Sequence, residues 1–242
     1  MAEKEILQKE RIKSVLDGYC EFIKNNKNAR FKSWEHCYSA FAKNQNKTDE
    51  ETVDLLCLNL AFYLASWGMY RGSSFLLQRD YKIHKEAVLE MQKTQYNVLR
   101  ITNIEMANSA EFVCTLAALE NALNDIYGKI KLDVDPNKKK SVTDTLKTKV
   151  LLGVFGCIPA YDTYVKKTLE TYKICTVNFF NPGQIKNFVS FYEENKELFD
   201  TVKSEISAGG IEYPPMKIID LVLWRIGLED SGKDKPEDCE DI

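Results

Sequence analysis

The stretch Val154–Val165, VFGCIPAYDTYV, sets a single carboxylate, Asp162, among apolar and aromatic residues just after a glycine and a proline. An aspartate is rarely buried without a partner or a task. Two tasks fit. Asp162 precedes the helical pattern TYVKKTLETY and suits a helix N-cap that accepts the N–H of Tyr164 or Val165. A carboxylate in an apolar setting can also stabilise a positively charged, oxocarbenium-like sugar and orient the attacking water, as in glycoside hydrolysis. The two tasks are compatible, because a catalytic aspartate at a helix start can accept such a bond.

A second stretch with chemical content is Ser66–His84, SWGMYRGSSFLLQRDYKIH. It groups Trp67, Tyr70 and Tyr81 around Gly68, Arg71, Gly72 and Gln78. Glycines permit a tight turn or close approach of a ligand, aromatic faces stack bases, and Arg71 with Ser73 and Ser74 can hold a phosphate. The competing reading is a helix corner in which Trp67 and Tyr70 are core and Arg71 pairs with an acid.

Other chemistries have little support in the residues. His36 and His84 are isolated imidazoles, no G-x-S-x-G elbow or P-loop occurs, and the seven cysteines show no C-x-x-C spacing. Buried thiols in a cytosolic chain are expected, with no metal site and no cofactor. Met1–Arg11 lacks the apolar centre of a signal peptide, and no apolar run nears the length of a membrane span. A cytoplasmic location follows as the expectation.

Net charge is −3, yet the segment Glu229–Ile242 alone carries −5, which leaves +2 on the rest. That acidic end reads as a flexible tail. Between Lys129 and Lys149 stand seven lysines against three aspartates, a basic patch compatible with a nucleic-acid partner or with a solvated loop and helix start.

These residues need helices to position them. Asp49–Trp67 opens with acids and continues apolar on almost every side, as a central buried helix does. Asn108–Tyr127 carries Phe112, Leu116, Leu119 and Leu123 at helical spacing behind an Asn108–Glu111 capping box. Ile130–Lys140 reads as a polar linker and Ser141–Phe155 as a helix. Further helices are expected from Asp162 to Tyr172, from Asn181 through Tyr192, and over Met216–Ile226 with Gly227 as its stop. The fold class is all-α: a compact bundle of roughly ten helices. It forms a single domain over 1–228, with helical subdomains about 30–130 and 131–228 and the cleft between them.

The run Phe155-Gly156-Cys157-Ile158-Pro159-Ala160-Tyr161-Asp162-Thr163-Tyr164-Val165 resembles the signature of the helix-hairpin-helix DNA glycosylases of base-excision repair. Members of that family carry FG, a proline, then an aspartate followed by threonine and commonly histidine. The match covers about a twentieth of the chain. One residue fewer separates glycine from aspartate, and Tyr164 stands where histidine is usual. The family's glycine-containing hairpin would fall near Lys138–Lys147, where KKKSVTDTLK stands instead.

The resemblance implies a glycosylase-like fold, an enzyme that extrudes a damaged or modified base from DNA, and Asp162 as its catalytic carboxylate. Trp67, Tyr70, Arg71, Gln78, Tyr81, Tyr161 and Tyr164 would form the base pocket. Ser73, Ser141, Lys147, Lys149 and Lys166 would meet DNA, with Ser141–Thr143 offering backbone N–H groups at a helix start. Neither Lys147 nor Lys149 falls in register with the lysine nucleophile of bifunctional members, which implies a monofunctional enzyme. So divergent a hairpin makes an unusual substrate plausible, such as a hypermodified phage base attacked in bacterial defence. Two readings stand beside this one. A helical interaction protein would present Tyr161, Tyr164 and Phe179–Phe180 as a convex patch. A nucleic-acid binder without chemistry would keep the lysines and use Asp162 only as a buried cap.

Overall fold

The computed structural model describes residues 7–137, 139–175, 180–207 and 210–232. Among them the chain forms ten α-helices with no strand: α1 Lys9–Asn25, α2 Lys32–Lys43, α3 Glu50–Ser66, α4 Lys85–Met91, α5 Ala110–Val134, α6 Asp144–Phe155, α7 Thr163–Thr171, α8 Ile185–Glu194, α9 Lys196–Ser207 and α10 Pro215–Glu229. Short 3₁₀ turns at Tyr81–His84, Thr94–Leu99, Ile104–Asn108 and Pro182–Gln184 join them. No helix among the described residues is long and apolar enough to cross a membrane.

Local chemistry accounts for most boundaries. Asp49 caps α3 by accepting the Thr52 N–H at 2.9 Å. The start of α5 lies later than its sequence suggests: Ser109 is the cap, accepting from Phe112 N, and Asn108 ends the preceding turn. The same helix runs on through Val134, so the expected linker from Ile130 begins a turn late. α6 starts at Asp144 behind the cap Thr143, not at Ser141. Gly156 ends α6 at φ +61°, a left-handed conformation open to glycine, and a Cβ there would overlap Pro214.

Gly227 does not stop α10, which continues to Glu229. Its missing side chain serves packing instead: a Cβ would collide with the Tyr164 carbonyl and Thr168 Oγ1, so it lets α10 lie directly on α7. Gly153 does the same for α6 against α3, where a Cβ would stand 2.5 Å from the Tyr63 ring. The core these approaches close is continuous, and Phe112, Leu116, Leu119, Leu123 and Tyr127 of α5 are fully buried in it.

The expected acidic tail is fastened where it begins. Glu229 ends α10 and accepts from Arg225 at 2.9 Å, and Asp230 pairs with Arg11 of α1. Residues 233–242 lie outside the described residues.

Candidate active-site cleft

A cleft of about 720 Å³ opens between the turn after α3 and the starts of α6 and α7. It draws on residues before and after position 130, so the two halves of the chain share it. Asp162 and Lys149 line its inner end. Lys149 is on the same face of α6 as Gly153, so the close approach of α6 to α3 carries its amine to the C-terminus of α3. There Nζ donates to the Trp67 carbonyl at 2.8 Å, the negative end of that helix. Asp162 caps α7, at that helix's positive end, with Oδ1 accepting the N–H groups of Tyr164 and Val165, each at 3.1 Å.

The two charges face each other, Lys149 Nζ to Asp162 Oδ2 at 3.7 Å. Burial dominates both groups. It pushes the Asp162 carboxyl up, against the lowering influence of Lys149 and the capping N–H groups. It pushes the Lys149 ammonium down, against the raising influence of Asp162 and Asp220. Asp162 still keeps 13% of its side-chain surface exposed, so a ligand in the cleft can reach it. Perturbed, opposed titratable groups at the inner end of a cleft are a signature of functional sites.

The turn that delivers Asp162 is held at successive residues. Ala160 N–H donates to Asp220 Oδ1 at 2.9 Å, Tyr161 N–H to Thr148 Oγ1 at 2.8 Å, and Thr145 Oγ1 donates to the Tyr161 carbonyl at 2.8 Å. The carboxylate is thus positioned by α6 and α10 together, not by its own helix alone.

Aromatic and cationic groups form the walls. Trp67, Phe75, Tyr164 and Trp224 line the cleft, and Trp67 packs edge-on against Trp224 at 5.4 Å. Arg30 lies over the Trp67 ring at 5.1 Å. The Trp67 indole N–H is buried with no hydrogen-bond partner among the described residues. Arg71 folds over Gly68, whose φ of +73° leaves no room for a Cβ beneath the guanidinium. Ser73, Lys131 and Thr143 also line the cleft.

Of the residues singled out from the sequence, Asp162, Trp67, Arg71, Ser73, Tyr164 and Lys149 therefore meet in one place. The remainder do not. The Tyr70 hydroxyl shares a hydrogen bond with His84 Nε2 at 2.7 Å, Tyr81 OH donates to Asp54, and neither residue lines the cleft. Gln78 is exposed in a left-handed turn. Tyr161 is fully buried, its hydroxyl donating to Gln184 at 3.0 Å. Lys147 is engaged by Glu120 and Asp144, and Lys166 lies outside the cleft.

Ser141 is exposed, its carbonyl taken by Lys131 at 2.7 Å, and the neighbouring Val142 N–H donates to Asn124, so that segment offers fewer free donors than expected. Glu120 and Asp125 serve ion pairs with Lys147 and Lys140, away from Asp162. Lys149, out of register by sequence spacing, nevertheless reaches the carboxylate. The convex aromatic patch is not formed by its described members: Tyr161 and Phe180 are buried and Tyr164 lines the cleft, while Phe179 lies outside the described residues.

Sequence reasoning missed Arg30 and Trp224, which carry no local signal, and Lys217 and Asp220, which did. Two charges one turn apart inside the apolar run Met216–Trp224 announce a buried ion pair. Among the described residues no group of histidines, cysteines and carboxylates could hold a metal ion. The chain matches no protein-family model, no curated protein and no solved structure. The geometry of the cleft is therefore the ground for a functional reading.

Proposed function

We propose that the protein is a DNA glycosylase that hydrolyses the N-glycosidic bond of an extruded damaged or modified base and leaves an abasic site. The observation that carries this reading is the division of labour within Asp162, which lines a cleft walled by aromatic rings: Oδ1 caps α7, while Oδ2 is left outside the cap and faces Lys149. As the C1′–N bond breaks, positive charge grows on the sugar, and a carboxylate in a low-dielectric site stabilises it. The same oxygen can orient water for attack at C1′, while the base departs with the bond's electron pair and takes up a proton. Trp67 and Tyr164, backed by the buried Trp224, offer stacking surface for the extruded base, and Arg30, Arg71 and Lys131 offer charge to the phosphates.

The cleft of about 720 Å³ has room for a base bearing a bulky substituent beside its sugar and phosphates. Hypermodified bases of phage DNA are of that class, and defence against phage is the role it suggests. Incubation of the purified protein with modified and unmodified duplexes, followed by alkaline cleavage at abasic sites, tests the proposal. Absence of abasic sites on every substrate, or full activity in Asp162→Asn, would sink it.

The approach of Lys149 to Asp162 favours a second reading of the same site. After passing its proton to the carboxylate, the amine attacks C1′ and the base leaves with the bonding electrons. The sugar ring then opens to an imine. Borohydride would trap that adduct in the wild-type protein and not in Lys149→Met. Abasic sites without trapping assign the monofunctional route.

A further inference from the structure

Behind the cleft lies a second buried ion pair. Lys217 Nζ and Asp220 Oδ2 of α10 stand 2.7 Å apart, and both side chains are almost wholly excluded from solvent. Lys217 also lies over the Trp34 ring at 5.1 Å. Removing two charges from water is costly, and an apolar pair of similar volume would commonly serve stability as well. The placement of the pair supplies a different reason for it. The other oxygen of Asp220 accepts the Ala160 N–H, two residues before Asp162. A void of about 10 Å³, one water in size, is bounded by Lys149, Asp162, Ala160, Lys217, Asp220 and Trp67.

We infer that Asp220, with Lys217 as its counter-charge, is a positioning residue for the Asp162–Lys149 pair. Its hydrogen bond to Ala160 fixes the turn that presents Asp162, and its charge acts across the small void on Lys149. This deepens the glycosylase reading and rests on it for its catalytic meaning.

The charged groups around the Lys149 amine come from every element packed there: Asp162 of α7, Asp220 and Lys217 of α10, Arg71 of the turn after α3, and Arg30 ahead of α2. Asp220 favours the ammonium form and Arg71 opposes it. Lys217 lines the same small void and carries the charge opposite to that of Asp220, so by its sign it disfavours the Lys149 ammonium.

The test follows reductive methylation of Lys149 by formaldehyde and cyanoborohydride against pH, residue by residue by mass spectrometry, on the full chain without DNA. Asp220→Asn keeps an acceptor for Ala160 and removes the negative charge. The Lys149 midpoint is expected to fall, with labelling at pH 8 rising on the order of tenfold. Lys217→Met removes the positive charge, and the midpoint is expected to rise, with slower labelling. A purely structural pair would expose the amine in both variants and raise both midpoints, so a shift of Asp220→Asn upward, or no shift, overturns the inference. An upward shift in Lys217→Met fits both readings, so if Asp220→Asn fails to fold, Asp220→Ser replaces it: a downward shift of the Lys149 midpoint supports the inference, and an upward shift or none overturns it. Abasic-site formation by the wild-type protein is measured alongside. Its absence defeats the glycosylase reading and leaves the labelling result standing on its own.

Discussion

Asp162 and Lys149 meet through the one carboxylate oxygen that helix capping does not use: Oδ1 takes both N–H groups of the α7 start, and Oδ2 stands 3.7 Å from Nζ. Cap and chemical group are therefore separable by substitution. Asparagine retains an oxygen for the cap and loses the charge. Asp162→Asn should melt within a few degrees of wild type while base release falls by about 10²–10⁴, the range for a positioned acid–base group. Asp162→Ala should lose a further ~0.5–2 kcal/mol of stability with the cap. Thermal melts and abasic-site assays on both variants check the pair.

Activity should depend on pH through the same carboxylate. In the proposed reaction Asp162 acts ionised, and burial pushes its carboxyl up from the usual carboxylate value. Activity should therefore be full at neutral pH and fall as pH drops through a midpoint higher than an ordinary aspartate gives. Lys149 favours the ionised form, so Lys149→Met should move that acid limb to higher pH. Single-turnover rates across pH 4–8 (about that span covers the expected limb) measure both.

His84 sits buried between Tyr70 and Tyr127, with hydroxyls 2.7 and 2.8 Å from its two ring nitrogens. Burial lowers its pKa from 6.5 to about 3. The unfolded chain thus binds a proton below 6.5 that the folded chain does not. Stability should fall by about 1.4 kcal/mol for each pH unit below 6.5 until about pH 3. His84→Gln should flatten that part of the curve in urea titrations followed by circular dichroism.

Gly227 is where α10 touches the backbone of α7 at Tyr164. Gly227→Ala should cost about 1–3 kcal/mol through overpacking, despite the better helix propensity of alanine. Because Tyr164 and Trp224 both line the cleft, substrate affinity should fall as well. Urea denaturation and a binding titration on one preparation read the two effects.

Trp67 caps the end of α3, receives Lys149 on its carbonyl and presents its ring to the cleft. Trp67→Phe preserves the backbone acceptor and an aromatic face. On the proposed function it should weaken DNA binding about threefold, a part of the ~1–3 kcal/mol that a base–aromatic stack is worth in full, while leaving the Lys149–Asp162 approach intact. Fluorescence anisotropy with duplexes carrying a flipped-base analogue measures the loss.

The sequence by itself marked six of the ten helices, α3, α5, α6, α7, α8 and α10, and several of their ends. Apolar spacing marked α3, α5 and α6, the acids from Asp49 marked the start of α3, and Asp162 announced its cap, because such signals involve neighbours within one or two turns. Its errors came where a local signal had a distant purpose. Gly227 reads as a helix stop, yet it admits the carbonyl of another helix. Tyr161 reads as a pocket aromatic, yet it is buried against Gln184. Tertiary structure alone decided which residues share the cleft. Arg30 and Trp224 enter it from opposite ends of the chain, and Lys149 meets Asp162 because Thr145 and Thr148 of its own helix and Asp220 of α10 hold the turn before that carboxylate. Helix formation depends on contacts a few residues apart, whereas a site depends on the distances and angles at which helices cross, and side chains remote in sequence set those.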